Sequence, residues 1–314
     1  MKILIELPTW LGDAVMTSPA IESLVSLYPN SEIIFLGSHN SIQLFKFHPN
    51  SIRLVELNRS LLSIYTFAKC LGIFDMFVSF RSSKRATLMK YFVNADLKFI
   101  FDKRIYSHGH QVERYMGFIN ESFNVDLNAG PLKIHIPKKL SSIKKPILGI
   151  NPGASYGSAK RWYPDRFAIS ASKLSDQFDI FIYGGPEDSE IVNDIKNKLD
   201  ELNVKNYKIL AGEMSVAELV ISISKLDLFI TADSGPMHIA SAFKIPSICL
   251  FGPTKDSETS QWMNSESIIL KANLECQPCM KKTCPLKHHN CMKAISSEDV
   301  VKNSLNLLGQ VKIN

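Results

Sequence analysis

The stretch that decides the fold is "FITADSGPMHIASAFKIPSICLFGPT", Phe229 to Thr254. An apolar run around residues 226–233 ends in Asp233-Ser234-Gly235-Pro236. Pro236 suits a first helical turn, because its missing N–H would be unpaired there anyway. The helix expected over 235–243 gives way to a second apolar run, 246–254. Strands that are apolar on both faces and joined through a helix run parallel, with helices covering the sheet.

Working outward, the same alternation recurs. Toward the N-terminus of this half come a strand at 146–153, a helix at 164–176 and a strand at 178–185. A helix at 186–201, a short strand near 207–210 and a helix at 215–224 follow. Further back, strands are expected at 2–7, 32–38 and 74–80, with helices at 12–28, 82–93 and 109–123. Between the two sets, residues 124–146 are rich in Pro, Gly and Lys and break the pattern. After the second set, "SSED" (296–299) starts a last helix with a capping-box pattern. The fold class is therefore α/β, with two Rossmann-like doubly wound domains, 1–140 and 141–314, and a cleft between them. The last helix is expected to pack back on the first domain. Ligands of such sheets sit just beyond the carboxyl ends of the strands.

Composition narrows the class. The chain has 314 residues, 45% hydrophobic and 21% charged, with a net charge of +6. This is mildly basic, below a dedicated nucleic-acid binder, and fits an anionic substrate or surface. No apolar run reaches the ~20 residues of a membrane helix. The short apolar start before Glu6 and Pro8 does not read as a secretory signal. A cytoplasmic protein with reduced thiols is expected.

Five loops after strands carry candidate chemistry. In Asp233-Ser234-Gly235, the N–H groups of a helix start and its dipole suit a phosphate, and His238 adds a donor. The carboxylate of Asp233 beside a phosphate makes sense if it accepts from sugar hydroxyls or helix N–H groups. In "NPGASYGSAKRWYP" (151–164), a small polar loop leads to Lys160, a mobile point charge suited to a leaving phosphate. Arg161 and Trp162 read equally well as an exposed cation and a core ring. "YGGPEDSE" (183–190) lets a flat ring approach and offers Glu187 to ribose hydroxyls. "AGEMSVAEL" (211–219) offers Met214 to a base ring or to the core. In the first half, Asp13 of "PTWLGDAVM" sits where strand turns to helix, as a helix cap or as a group facing the cleft.

Four blocks, "PTWLGDAVMTSPAI", "NPGASYGSAKRWYP", "ITADSGPMHIASAFKIPSICLFGPT" and "CQPCMKKTCPLKHHNCM", together resemble the lipopolysaccharide heptosyltransferases. The likeness covers nearly the whole chain, and "PTWLGD" with "AKRW" is more similar to the type II branch than to type I. The resemblance implies a GT-B fold with an N-terminal acceptor-binding domain and a C-terminal ADP-sugar-binding domain. It implies an inverting, metal-independent transfer of heptose from ADP-L-glycero-β-D-manno-heptose onto the first heptose of the lipopolysaccharide inner core, a heptosyl-Kdo2-lipid A. The catalytic pair it implies is Asp13, as base, and Lys160. Donor contacts fall on Ser155, Glu187, Met214, Asp233, Ser234, Gly235 and His238, with Thr254 a weaker candidate.

For the acceptor, residues 81–114 hold eight basic and three acidic side chains, a net +5 in 34 residues. Arg81, Lys84 and Arg85 are the candidates for contact with acceptor carboxylates and phosphates. The same face suits anionic headgroups at the cytoplasmic side of the inner membrane. Cys276, Cys279, Cys284 and Cys291, spaced C-x2-C-x4-C-x6-C, raise a structural zinc site. The reading preferred from sequence is a buried thiol cluster that anchors the loop before the last helix, with no cofactor. Competing readings are a type I enzyme, another nucleotide-sugar transferase, or a non-catalytic sugar-nucleotide-binding module. An NAD-dependent oxidoreductase is disfavoured because "LPTWLGD" lacks the second and third glycines of G-x-G-x-x-G.

Overall fold

The computed structural model describes residues 1–57, 64–137 and 145–310. The chain divides into two compact units, Met1–Pro137 and Lys138–Asn314. The boundary expected at 140/141 falls among residues 138–144, outside the described ones.

The first unit carries strands β1 (Lys2–Glu6), β2 (Glu32–Gly37), β3 (Ser51–Glu56), β4 (Ile73–Ser79) and β5 (Asn94–Ile100). Their spatial order is β3-β2-β1-β4-β5, and every pairing is parallel. Order reverses between β1 and β4, so the first unit's switch point lies where Glu6 and Ser79 end their strands. Ile3, Leu4 and Ile5 are all fully buried, because both faces of the sheet are covered. Leu4 packs with Ile34, Leu36, Phe74, Phe77 and Met89 on one face.

The second unit carries β6 (Ile147–Asn151), β7 (Asp179–Ile182), β8 (Tyr207–Ile209), β9 (Leu228–Ala232), β10 (Ser247–Phe251) and β11 (Ser267–Lys271). Its order is β11-β10-β9-β6-β7-β8, again all parallel. The switch point falls between β6 and β9. One face packs Leu148, Ile150, Ile230, Ile248 and Leu250 against Trp162, Phe167 and the last helix. Met237, Cys249 and Phe251 fill the other face. Each such side chain contributes roughly 1.5–3 kcal/mol when taken out of water.

Several elements differ from expectation. The helix expected over 12–28 is two helices, Leu11–Met16 and Ser18–Leu27, broken at Thr17 with Pro19 in the first turn of the second. Strands β3, β5 and β11 were not anticipated, because they are half exposed and lack a clean apolar run. The basic stretch around residues 81–114 is therefore not one helix face. It spans the helix Lys84–Phe92, the edge strand β5, a loop and the start of the helix Gln111–Phe123. Within the second unit, and with no bearing on the packing expected against the first, the last helix, Ser297–Gln310, lies against the helix Pro164–Leu174 and against β10 and β11.

Candidate functional site

At the second unit's switch point the loops after β6 and β9 are pinned together. Asn151, the last residue of β6, donates from Nδ2 to Ser234 Oγ at 3.0 Å and to the Gly153 carbonyl at 3.3 Å. Ser234 precedes the helix Gly235–Ala242, and Pro236 stands in its first turn. Because Ser234 Oγ is committed to Asn151 and Thr231, it does not cap that helix. The first turn's N–H groups therefore keep their positive end unmet by that side chain. At its far end the helix is closed by Lys244 in a left-handed conformation (φ 56°), the Ile245 N–H bonded to the Ala240 carbonyl, and Pro246 beyond.

Beside this helix start, Lys160 Nζ lies 2.5 Å from Asp233 Oδ2. Thr254 Oγ1 donates to the same oxygen at 2.6 Å. Both charged side chains are largely enclosed, and the Lys160 ammonium also sits 4.9 Å over the Tyr156 ring. Three of the residues expected at the donor site, Lys160, Asp233 and Thr254, are thus one hydrogen-bonded cluster. Asp233 differs from expectation in one respect: its carboxylate holds Lys160 and Thr254. The Asp233 carboxylate offsets the ammonium's charge, so the positive end beside the pair is that of the uncapped helix N-terminus, a setting suited to an anion.

A second pair lies on the neighbouring loops, where Ser155 Oγ donates to Glu187 Oε1 at 3.3 Å. Met214 is half-buried after β8, in a loop tied to the Gly184–Gly185 turn by the Gly212 N–H to Gly184 carbonyl bond. His238 is buried within the helix Gly235–Ala242. Trp162 is core: its Nε1 donates to the Ile295 carbonyl at 3.0 Å and its ring meets Phe167 edge-on. Arg161 pairs with Asp188 at 3.1 Å. Burial lifts the Asp188 carboxyl above the ordinary carboxylate range, even though the Gly185 N–H and Arg161 act against it. Sequence reasoning passed over Asp188. It braces two loops at once, and a Cβ on Gly153 would meet its carboxylate at 2.1 Å.

In the first unit, Asp13 is half-buried in the first turn of the helix Leu11–Met16, where Trp10 supplies no side-chain cap. Its charge adds to the burial that lifts the Tyr115 phenol well above the ordinary value. At that unit's switch point, Glu6 is fully buried and accepts from Ser79 Oγ at 2.7 Å. Arg81 Nε lies 3.8 Å from its other oxygen. Arg85 brings a second guanidinium, with its Nε and one Nη buried and without a hydrogen bond among the described residues. Burial raises the Glu6 carboxyl, against Ser79, Arg81 and Arg85. Lys84 is exposed at the start of its helix. Glu6 was invisible in the sequence, because one acidic residue closing a strand reads as solvated; only the register β1–β4 reveals it as the anchor of Arg81.

With two switch points carrying an ammonium–helix site and an arginine pair, comparison with known proteins is decisive. Residues 76–290, more than half of the chain, match the model of "Glycosyltransferase family 9 (heptosyltransferase)". The chain belongs to glycosyltransferase family 9. It is 41% identical over 318 residues to a lipooligosaccharide heptosyltransferase 2 of Campylobacter jejuni, covering 98% of each chain. Among solved structures, a family 9 glycosyltransferase of Veillonella parvula superposes with a TM-score of 0.84 at 21% identity, covering 99% of this chain and 98% of that one. The ADP-heptose LPS heptosyltransferase II of E. coli superposes at 0.79 with 22% identity, covering 99% of each. The two parallel-sheet units of this family 9 chain thus have the GT-B organisation expected from its sequence. As a family 9 member it is a glycosyltransferase.

Proposed function

We propose that this chain transfers heptose from ADP-L-glycero-β-D-manno-heptose to the first heptose of the lipopolysaccharide inner core, with inversion and with no metal in the chemical step. The observation that carries the proposal is the Lys160–Asp233–Thr254 cluster beside the uncapped start of the helix Gly235–Ala242. The relatives named lipooligosaccharide heptosyltransferase 2 support the type of acceptor.

In this mechanism Asp13 takes the proton of the acceptor hydroxyl as that oxygen attacks the anomeric carbon. The bond from that carbon to the β-phosphate oxygen breaks, and its electron pair leaves with ADP. Lys160 and the helix N–H groups stabilise the charge that develops on the departing phosphate. Asp233 orients the ammonium, and Thr254 shares that task through the same oxygen. His238 and Ser234 complete the phosphate side, Ser155 and Glu187 take the ribose hydroxyls, and Met214 lies against the base. Arg81, Arg85 and Lys84 hold acceptor carboxylates and phosphates, and the basic stretch brings the protein to anionic headgroups. No helix among the described residues is long and apolar enough to cross a membrane.

The test is transfer from ADP-heptose to two acceptors, Kdo2-lipid A and the same molecule carrying one heptose. Transfer to the second alone is expected. Transfer to the first alone makes the chain a type I enzyme, and transfer to neither overturns the proposal.

A further inference from the structure

The cysteine-rich segment lies outside the chemistry above but is bonded to it. Cys276, Cys279, Cys284 and Cys291 all line one small pocket, together with Ala159 and Pro253. All four are free thiols, and of the four only Cys291 is buried. This corrects the buried thiol cluster expected from the sequence. Three part-exposed sulfurs and one buried sulfur border a shared hollow without three of them lying within 4.8 Å of one another, so an ion would draw them inward. The segment folds back on itself there, the Lys287 N–H donating to the Cys284 carbonyl at 3.2 Å.

The neighbouring histidines are otherwise engaged. His289 meets the Tyr163 hydroxyl through Nδ1 and the Ala159 carbonyl through Nε2, each at 3.0 Å. The Asn290 N–H donates to His288 Nδ1 at 2.9 Å. The donor set is then four sulfurs, and four thiolates select a tetrahedral Zn²⁺ or Fe²⁺ over Mg²⁺ or Ca²⁺.

We propose that Cys276, Cys279, Cys284 and Cys291 together bind one Zn²⁺ or Fe²⁺ ion in a closed structural site. Each thiol gives its proton to solvent as it binds. Four protein ligands leave no open position, so the ion takes no part in glycosyl transfer. Its work is mechanical. Gln277 Nε2 donates to the Gly252 carbonyl at 2.7 Å, and the Met280 N–H to the Pro253 carbonyl at 2.8 Å. The Tyr156 hydroxyl donates to the Met280 carbonyl at 2.8 Å, and the Ala159 N–H to the Lys282 carbonyl at 3.0 Å. The ion therefore fixes the strap that holds the loops of Lys160 and Thr254.

The experiment is elemental analysis of the full chain purified without chelator. One zinc or iron per chain is expected, and which metal is found decides between the two. Cys279→Ser and Cys291→Ser should lose it, whereas Cys70→Ser should keep it. Because those variants could fail to fold, folded wild-type protein is also stripped with chelator and reloaded with Co²⁺. The sulfur-to-cobalt charge-transfer bands of a tetrahedral thiolate site should appear, and ADP affinity should fall severalfold on stripping and return on reloading. Metal far below one ion per chain after zinc supplementation, a full complement in Cys279→Ser, or cobalt without thiolate bands would each overturn the proposal. Metal content and cobalt spectra read the site whether or not the chain transfers heptose.

Discussion

At the scale of single residues, two carboxyls give this protein opposite responses to acid. Glu22 is opposed by burial, yet contacts from His48, Lys133 and His135 outweigh it and hold its carboxyl down at about 2, below the ordinary 4.5. Its contribution to stability is present above 4.5 and is lost as pH falls toward 2. Glu6 is shifted the other way, chiefly by burial. Its contribution is fully present below 4.5 and is lost as pH rises through its elevated value. Denaturant unfolding across pH should show Glu22→Gln flattening the acid limb and Glu6→Gln flattening the decline on the neutral side. Asp13→Asn keeps the size of the side chain and removes the proposed base. It should lower kcat by about 10²- to 10⁴-fold with little change in KM, measured as steady-state transfer. Lys160→Ala leaves Asp233 enclosed without its cation. A loss of about 10²- to 10³-fold in kcat is expected, together with weaker ADP binding by calorimetry.

At the scale of elements, the loop from Ala154 to Lys160 shows how little slack the proposed donor site has. Gly157 has φ 156°, and a Cβ there would lie 2.4 Å from the Lys282 carbonyl oxygen. Backbone meets backbone at that point, so no rotamer can relieve the clash. Gly157→Ala should cost about 1–3 kcal/mol and weaken ADP binding, read by thermal unfolding and calorimetry. The sequence disclosed the elements whose residues are buried on both faces, β1, β6, β9 and β10, because an unbroken apolar run has one economical explanation. It hid β3, β5 and β11, whose polar positions are tolerated at or near sheet edges. The donor loops were legible because each follows a buried strand. The bracing roles of Asn151 and Asp188 were not, since both act on residues distant in the chain.

At the scale of the whole molecule, the basic stretch and the Lys160 cluster fall in different units. Lys84 and Lys90 are exposed on the helix of the first unit, while Lys160 and its partners belong to the second. Charge reversal by Lys84→Glu with Lys90→Glu should weaken binding to anionic vesicles, most at low salt and less as salt rises. ADP affinity should be unchanged, and co-sedimentation and calorimetry separate the two. The order in which the polymer is made adds a constraint. The first unit's strands all lie within the first 137 residues, so its sheet can close while the rest is still being synthesised. The Lys160 region cannot, because Trp162 waits for Ile295, 133 residues later, and Tyr163 for His289, 126 residues later. At ribosomal speeds that delay is on the order of ten seconds. A nascent chain would thus hold a finished first unit well before the loops proposed to grip the nucleotide are braced.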